Sequence, residues 1–335
     1  ASDLYNQCNG HTYATSAAAL AALNGSDIVT INPGGEVITA YIFGDNYFEM
    51  YINGVPVGKD NVPYTPFNSN IVRFRVNRPF TIAMLLVDWE ENLGLGSENN
   101  SGFAYYPGDG GMVAVFKDAQ NNNVAITGSN WKAQTFYTAP IQDLSCPTEN
   151  GTLRSSVNCS VQSTNNGANF YGLHWQRPAN WMNASFDDSQ WQNASIYTNE
   201  VVGVNNKPAY TNFTNIFDDP ANDAKFIWST NLILDNEVIV RYTVPAANSI
   251  NEHSSIIKDF KLYPNPAKEE LYFDLGDNAS GTTLKKVIIY NTLGQNIFEA
   301  DNVIDKVHFG VLSPGVYFVR VLFPDFEISQ KLIIE

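Results

Sequence analysis

The chain is poor in the groups that most often carry chemistry. It has 3 cysteines and 4 histidines in 335 residues, and no Cys-x-x-Cys pair, so a thiolate zinc site lacks its ligands. No Gly-x-Ser-x-Gly elbow, His-Glu-x-x-His pair or phosphate-binding glycine loop occurs, which leaves acyl transfer, zinc proteolysis and nucleotide binding without their usual residues. Positive charge is scarce: 19 Lys and Arg stand against 34 Asp and Glu, a net charge of −15. The basic footprint required by nucleic acids and by anionic membrane surfaces is therefore missing. No apolar run reaches the length of a membrane-spanning helix, and no direct membrane insertion is expected.

What is present is an apolar and aromatic sequence, 44 % and 13 %, with only 16 % charged residues and abundant Asn, Thr, Ser and Gly. That is the composition of an extracellular all-β protein, and the length calls for two domains. The chain opens on Ala1-Ser2-Asp3 without Met or an apolar leader, so we expect a precursor whose secretory signal peptide has been removed. Cys146 and Cys159 bracket a polar stretch that a disulfide would close for about 3 kcal/mol, fitting an oxidising compartment. Cys8 would then be free; its pairing with either of the others is the alternative.

Along the chain, Thr15 or Ser16 caps a short Ala/Leu helix that stops at Asn24-Gly25. Strands follow: Asp27–Ile31, Glu36–Phe43, Tyr47–Ile52 with an Asn53-Gly54 hairpin turn of type I′, Ile71–Val76, Phe80–Trp89, Met112–Lys117 and Val124–Thr127. The run Gly44-Asp45-Asn46-Tyr47-Phe48-Glu49-Met50-Tyr51-Ile52-Asn53-Gly54-Val55 resembles the recurrent hairpin of galactose-binding-like jelly rolls. Phe186–Trp191 and Phe226–Trp228 echo the same family. The resemblance spans about residues 27–245 and implies a jelly-roll domain over 1–245, elaborated in two loop-like regions, Leu144–Asn169 and Asn199–Asp223. A polar linker, 246–258, follows.

From Asp259 to Glu335 the pattern is that of a small antiparallel sandwich. Leu271, Phe273 and Leu275 share a strand face, Gly294 supplies a turn, and Pro264 and Pro266 hold the leading segment extended around Asn265. Leu262-Tyr263-Pro264-Asn265-Pro266-Ala267, Leu293-Gly294, Leu312-Ser313-Pro314-Gly315-Val316-Tyr317 and Lys331-Leu332-Ile333-Ile334 together resemble the type A C-terminal sorting domain of the Bacteroidetes type IX (Por) secretion system. The resemblance implies an Ig-like sandwich acting as an export address, with Pro264, Asn265, Pro266, Gly294, Gly315, Tyr317 and Lys331 carrying the signal. It further implies as partners the outer-membrane translocon and its barrel shuttle, and a final location outside the cell or on the outer face of the outer membrane. On physical grounds, the terminal strand from Ser329 could dock by strand addition or by loop contact with a barrel.

Candidate sites in the front part are few. Asp88, Glu90, Glu91 and Glu98 sit where a strand enters a glycine-rich loop. They read as solvated rim acids, as hard oxygen ligands for Ca²⁺, or, for Asp88 and Glu90, as a glycosidase acid pair roughly 7 Å apart. Trp175, Arg177 and Trp181, with His174 and Trp191, form the densest aromatic stretch, suited to stacking on sugar rings. Trp191 and Trp228 are expected in the core and Trp181 at the surface. The expectation is a non-catalytic, exported passenger that binds carbohydrate. A structural partner of the secretion or gliding apparatus is the alternative, and a glycoside hydrolase a third.

Overall fold

The computed structural model describes residues 1–23, 25–61, 67–88, 97–100, 103–162, 170–220, 222–246, 260–274, 284–323 and 327–335. It is built almost wholly from antiparallel strands and separates into two compact units, Ala1–Ala246 and Ala247–Glu335. Most of the stretch read as a linker, and His253 within it, lies outside the described residues.

The first unit is a sandwich of two sheets. One has nine strands, running from Ser195–Tyr197 through Phe226–Trp228, Gly111–Lys117, Glu36–Asp45, Asn68–Val76 and Ser2–Asn6 to His11–Thr12, with Ile28–Thr30 and Asn123–Ile126 alongside. The other runs Tyr171–His174, Lys132–Ile141, Asp235–Val244, Phe80–Val87, Tyr47–Ile52, Val55–Lys59, with Gln192–Asn193 beside Lys132–Ile141. Strand side chains alternate in direction, so Ile38, Ala40, Ile42, Phe74, Ala114 and Phe116 face Phe48, Met50, Ile82, Met84, Leu86, Val238 and Val240 in one buried core.

Local signals place the edges. Asn53 and Gly54 both have positive φ, 50° and 85°, and join Ile52 to Val55 as the primed turn requires. Thr15 accepts from the Ala18 amide and caps the helix Ser16–Ala22. Two regions differ from expectation. Residues 199–217, read as loop, form three helices of 4 residues each, Asn199–Val202, Pro208–Thr211 and Thr214–Phe217. They bury Val202, Tyr210, Phe213 and Phe217 against the outer face of the first sheet, where Tyr210 meets Phe43 and Phe226. The Leu144–Asn169 region carries a hairpin, Thr148–Asn150 with Leu153–Ser155, inside the disulfide Cys146–Cys159; Cys8 is a free, exposed thiol.

The hairpin is tied down by a buried carboxylate. Asp235 accepts from the hydroxyls of Thr138 at 2.7 Å, Ser156 at 2.8 Å and Ser229. Burial pushes this carboxyl up from its ordinary range, and the hydroxyl donors partly hold it back.

The second unit packs a three-stranded sheet (Lys261–Tyr263, Glu270–Asp274, Lys306–His308) on a four-stranded one, ordered Asn296–Val303, Leu284–Asn291, Gly315–Leu322, Glu327–Ile334. Leu271, Phe273, Val287, Ile289, Val319, Val321 and Leu332 fill its core.

Candidate functional site

The outer face of the second sheet is half covered and half open. Ala83, Leu85, Phe136 and Ile239 form an apolar floor, on which Trp181, Met182, Phe186 and Trp191 are laid down. Arg241 holds this cover in place. Its side chain is 1 % exposed, pairs with Asp188 at 2.7 Å, donates to the Trp181, Asn183 and Phe186 carbonyls and stacks on the Phe186 ring. Trp181 is therefore only 4 % exposed and packs edge-on against Tyr51, ring centroids 5.2 Å apart. This corrects its assignment as a surface sugar platform: a cation hidden in the sheet draws three loop carbonyls inward and takes the indole with them. Trp191 and Trp228 are buried as expected.

Beyond the cover, one register row crosses the sheet as Tyr47, Val87, Glu237, Tyr137 and His174. Period-two alternation puts Glu49 and Tyr51 on the same face as Tyr47, and Glu237 on the face of Ile239 and Arg241. Glu49 accepts from both tyrosines, Tyr47 at 2.9 Å and Tyr51 at 2.8 Å. Partial burial, and then the Glu49 carboxylate, push the Tyr51 hydroxyl up to about 12 and raise that of Tyr47 as well. Glu237 meets Arg177 at 3.4 Å; burial raises its carboxyl, Arg177 and His174 oppose the rise, and Glu49 adds to it. Tyr137 and His174 stack with ring centroids 4.0 Å apart.

One wall of this face comes from the disulfide-closed hairpin. Glu149 accepts from the Trp175 indole at 3.2 Å, and the Arg154 guanidinium lies over the rings of both Phe136 and Trp175. Of the residues singled out from sequence, Arg177 and His174 thus meet on the open face, Trp175 packs partly buried at the margin of the cover, and Trp181 lies beneath it. Tyr47, Glu49, Tyr51, Tyr137, Glu149, Arg154 and Glu237 were missed. The spacing Tyr47-x-Glu49-x-Tyr51, a polar-aromatic face on an otherwise apolar strand, was the available signal.

Of the acidic group, Glu90 and Glu91 and the side chain of Glu98 lie outside the described residues. Asp88 is buried, and its amide donates to the Asn236 carbonyl at 2.8 Å. Among the described residues, no cluster of His, Cys, Asp or Glu is placed to hold a metal ion. A separate cavity of about 600 Å³ lies among Tyr197, Glu200, Asn205, Asp218, Asp223 and Lys225 at the short helices.

In the second unit, Gly294 turns at φ 78° within a loop closed by the Asn291 carboxamide, which accepts from the Leu293 and Gln295 amides. Tyr317 donates to the Ser313 carbonyl across the turn before Gly315. Lys331 is exposed on the terminal strand. The outer edge of that strand is occupied. The Asn265 side chain accepts from the Ile333 amide at 2.9 Å and donates to the Lys331 carbonyl at 2.8 Å. The Ala267 amide donates to Ile333 and its carbonyl accepts from Glu335. Strand addition along this stretch, one of the docking modes expected from sequence, is blocked by the chain itself, because those edge groups are already bonded.

Residues 261–335 match the secretion system C-terminal sorting domain family. No curated protein matches the chain. Solved structures with some likeness include the β-glucuronidase of Faecalibacterium prausnitzii (9 % identity, 91 % of this chain and 36 % of that one, TM-score 0.19). A lectin of Pleurotus ostreatus in its apo form (12 %, 92 % and 73 %, 0.18) is another, as is dimeric latent PorU from Porphyromonas gingivalis (13 %, 89 % and 29 %, 0.17). The chain spans 36 % of the glucuronidase's length, and at these TM-scores none of the likenesses carries an argument.

Proposed function

We propose that this is an exported binding protein: a sorting unit that addresses it to the type IX machinery, and a non-catalytic passenger that binds carbohydrate on the open face of its second sheet. The match over residues 261–335 supports export by the type IX system and a secreted or cell-surface location. The outer-membrane translocon and its barrel shuttle are the proposed readers of the sorting unit.

For the passenger, the observation that carries the reading is the row Tyr47, Glu237, Tyr137, His174 with Glu49 between two tyrosines and Arg177 against Glu237. Carboxylates, phenols and a guanidinium fixed on a rigid sheet bond sugar hydroxyls, and Trp175, partly buried at the margin of the covered cluster with Arg154 over its ring, adds an indole beside them. The side chains are held by one another before any ligand arrives, which lowers the ordering cost of binding.

Titration of the full chain against a panel of neutral polysaccharides tests this. Binding is expected, and is lost in Glu49→Gln and Trp175→Ala while the fold is retained. Failure to bind any member, or binding untouched by both substitutions, would sink the reading.

A second reading, a protein-interaction module, is favoured by Leu144, Leu153, Val157 and Val161, all exposed around the disulfide-closed segment. Cross-linking that maps a protein partner onto this segment, together with no glycan binding, would favour it.

A further inference from the structure

The two ends of the sorting unit meet, and they meet through atoms that do not depend on the side chains of the terminal strand. Four consecutive polar groups on that strand's outer edge are the Lys331 carbonyl, the Ile333 amide, the Ile333 carbonyl and the Glu335 amide. All are engaged by Asn265 and Ala267. The first pair is bonded by the Asn265 carboxamide, which presents one acceptor and one donor as a neighbouring strand's peptide group would. The second pair is bonded by the Ala267 backbone, which forms a parallel bridge with Ile334. Ala267 and Ile334 are buried, 1 % and 2 % exposed. Ala267 leads into Glu270–Asp274 of the three-stranded sheet, while Glu327–Ile334 closes the four-stranded one. The junction therefore ties the two sheets at an edge that would otherwise be open.

We infer that the Pro264-Asn265-Pro266-Ala267 segment and the last residues of the chain form one intramolecular clasp, with Asn265 as its positioning residue. The terminal pentapeptide serves export by closing the fold that the machinery reads, not by offering its own side chains as the label. This rests on the export reading and deepens it. Lys331 and Ile333 point outward and contribute only backbone atoms to the clasp, so their identity is free within it. Asn265 is not: alanine has neither donor nor acceptor. Chain length is not free either, because removal of Lys331 to Glu335 removes every partner of Asn265 and Ala267 at this edge.

The test uses the full chain in a bacterium with a working type IX system, scoring protein outside the cell against protein held in the periplasm, and protease resistance of the sorting unit. Asn265→Ala and deletion of Lys331–Glu335 are expected to lower export together, with new cleavage in the sorting unit. The double substitution Lys331→Ala, Ile333→Ser is expected to be exported like the parent. Loss of export in that double variant with an unchanged protease pattern would overturn the clasp, as would normal export of Asn265→Ala. The double variant decides the matter even where Asn265→Ala fails to accumulate. Normal export after removal of residues 259–335 would instead overturn the export reading itself, so the two failures are distinguishable.

Discussion

Asn265 and Ile333 lie 68 residues apart in the chain, yet the side-chain oxygen of one accepts from the amide of the other at 2.9 Å. A side chain here does the work of a strand's backbone. Replacing Asn265 with alanine should remove about 1–2 kcal/mol of local stability, since two net hydrogen bonds are lost. Amide hydrogen exchange reads this directly: protection at Ile333 should fall about 5- to 30-fold, while protection at Ile239 in the first unit stays unchanged.

Arg241 is the keystone of the covered sheet face. Arg241→Met should lower the stability of the first unit by about 3 kcal/mol, because Asp188 and the loop carbonyls lose their partner. Arg241→Lys should not restore it, since an ammonium cannot span the same fork of acceptors. Urea denaturation followed by tryptophan fluorescence checks both, and Trp181 should become accessible to a quencher in the variants.

Trp181 and Trp175 should separate stability from recognition. Trp181→Ala opens a hole under the cover and should cost about 3–5 kcal/mol in unfolding experiments. Trp175→Ala, at a partly buried position on the margin of the same cluster, should cost less in unfolding than Trp181→Ala and show its larger effect in ligand titration.

The disulfide between Cys146 and Cys159 closes a loop with a sequence separation of 13. Replacing both cysteines with alanine should cost about 3 kcal/mol or less in urea unfolding. The same change should loosen Glu149 and Arg154 from Trp175 and so weaken binding on the open face.

Glu237 gives a pH signature. Its carboxyl is raised by burial, so its protonated form is the one the fold favours. That favourable contribution is complete below the ordinary glutamate pKa and is lost as pH rises through the raised folded value. Comparing the parent with Glu237→Gln from pH 7 down to pH 4, the stability difference should move in the parent's favour as pH falls. A difference that stays flat, or moves the other way, would show that Arg177 outweighs burial.

Much of the fold could be read from the chain. Asn53-Gly54 announced its hairpin because only such residues take positive φ twice in succession, and Thr15 announced its helix because its hydroxyl caps the first turn. The short helices at residues 199–217 stayed hidden because 4 residues are too few to show a period. The proposed binding face was half legible: Trp175 and Arg177 stand in an aromatic stretch, whereas Glu237 and Tyr137 become neighbours only through strand register. Trp181 misled because the cause of its burial, Arg241, lies 60 residues away in a strand where arginine suggests solvent. The sorting motifs were legible as words; the bond between the first and the last of them was not, since one partner is main chain.

The wall of the open face stands on a hairpin whose ends are joined by a sulfur–sulfur bond, and such bonds form where the surroundings are oxidising. On the binding proposal above, newly made polypeptide in a reducing cytoplasm would carry that wall untied. Oxidation during export would then complete the proposed face, so that competence for capture would arrive with delivery.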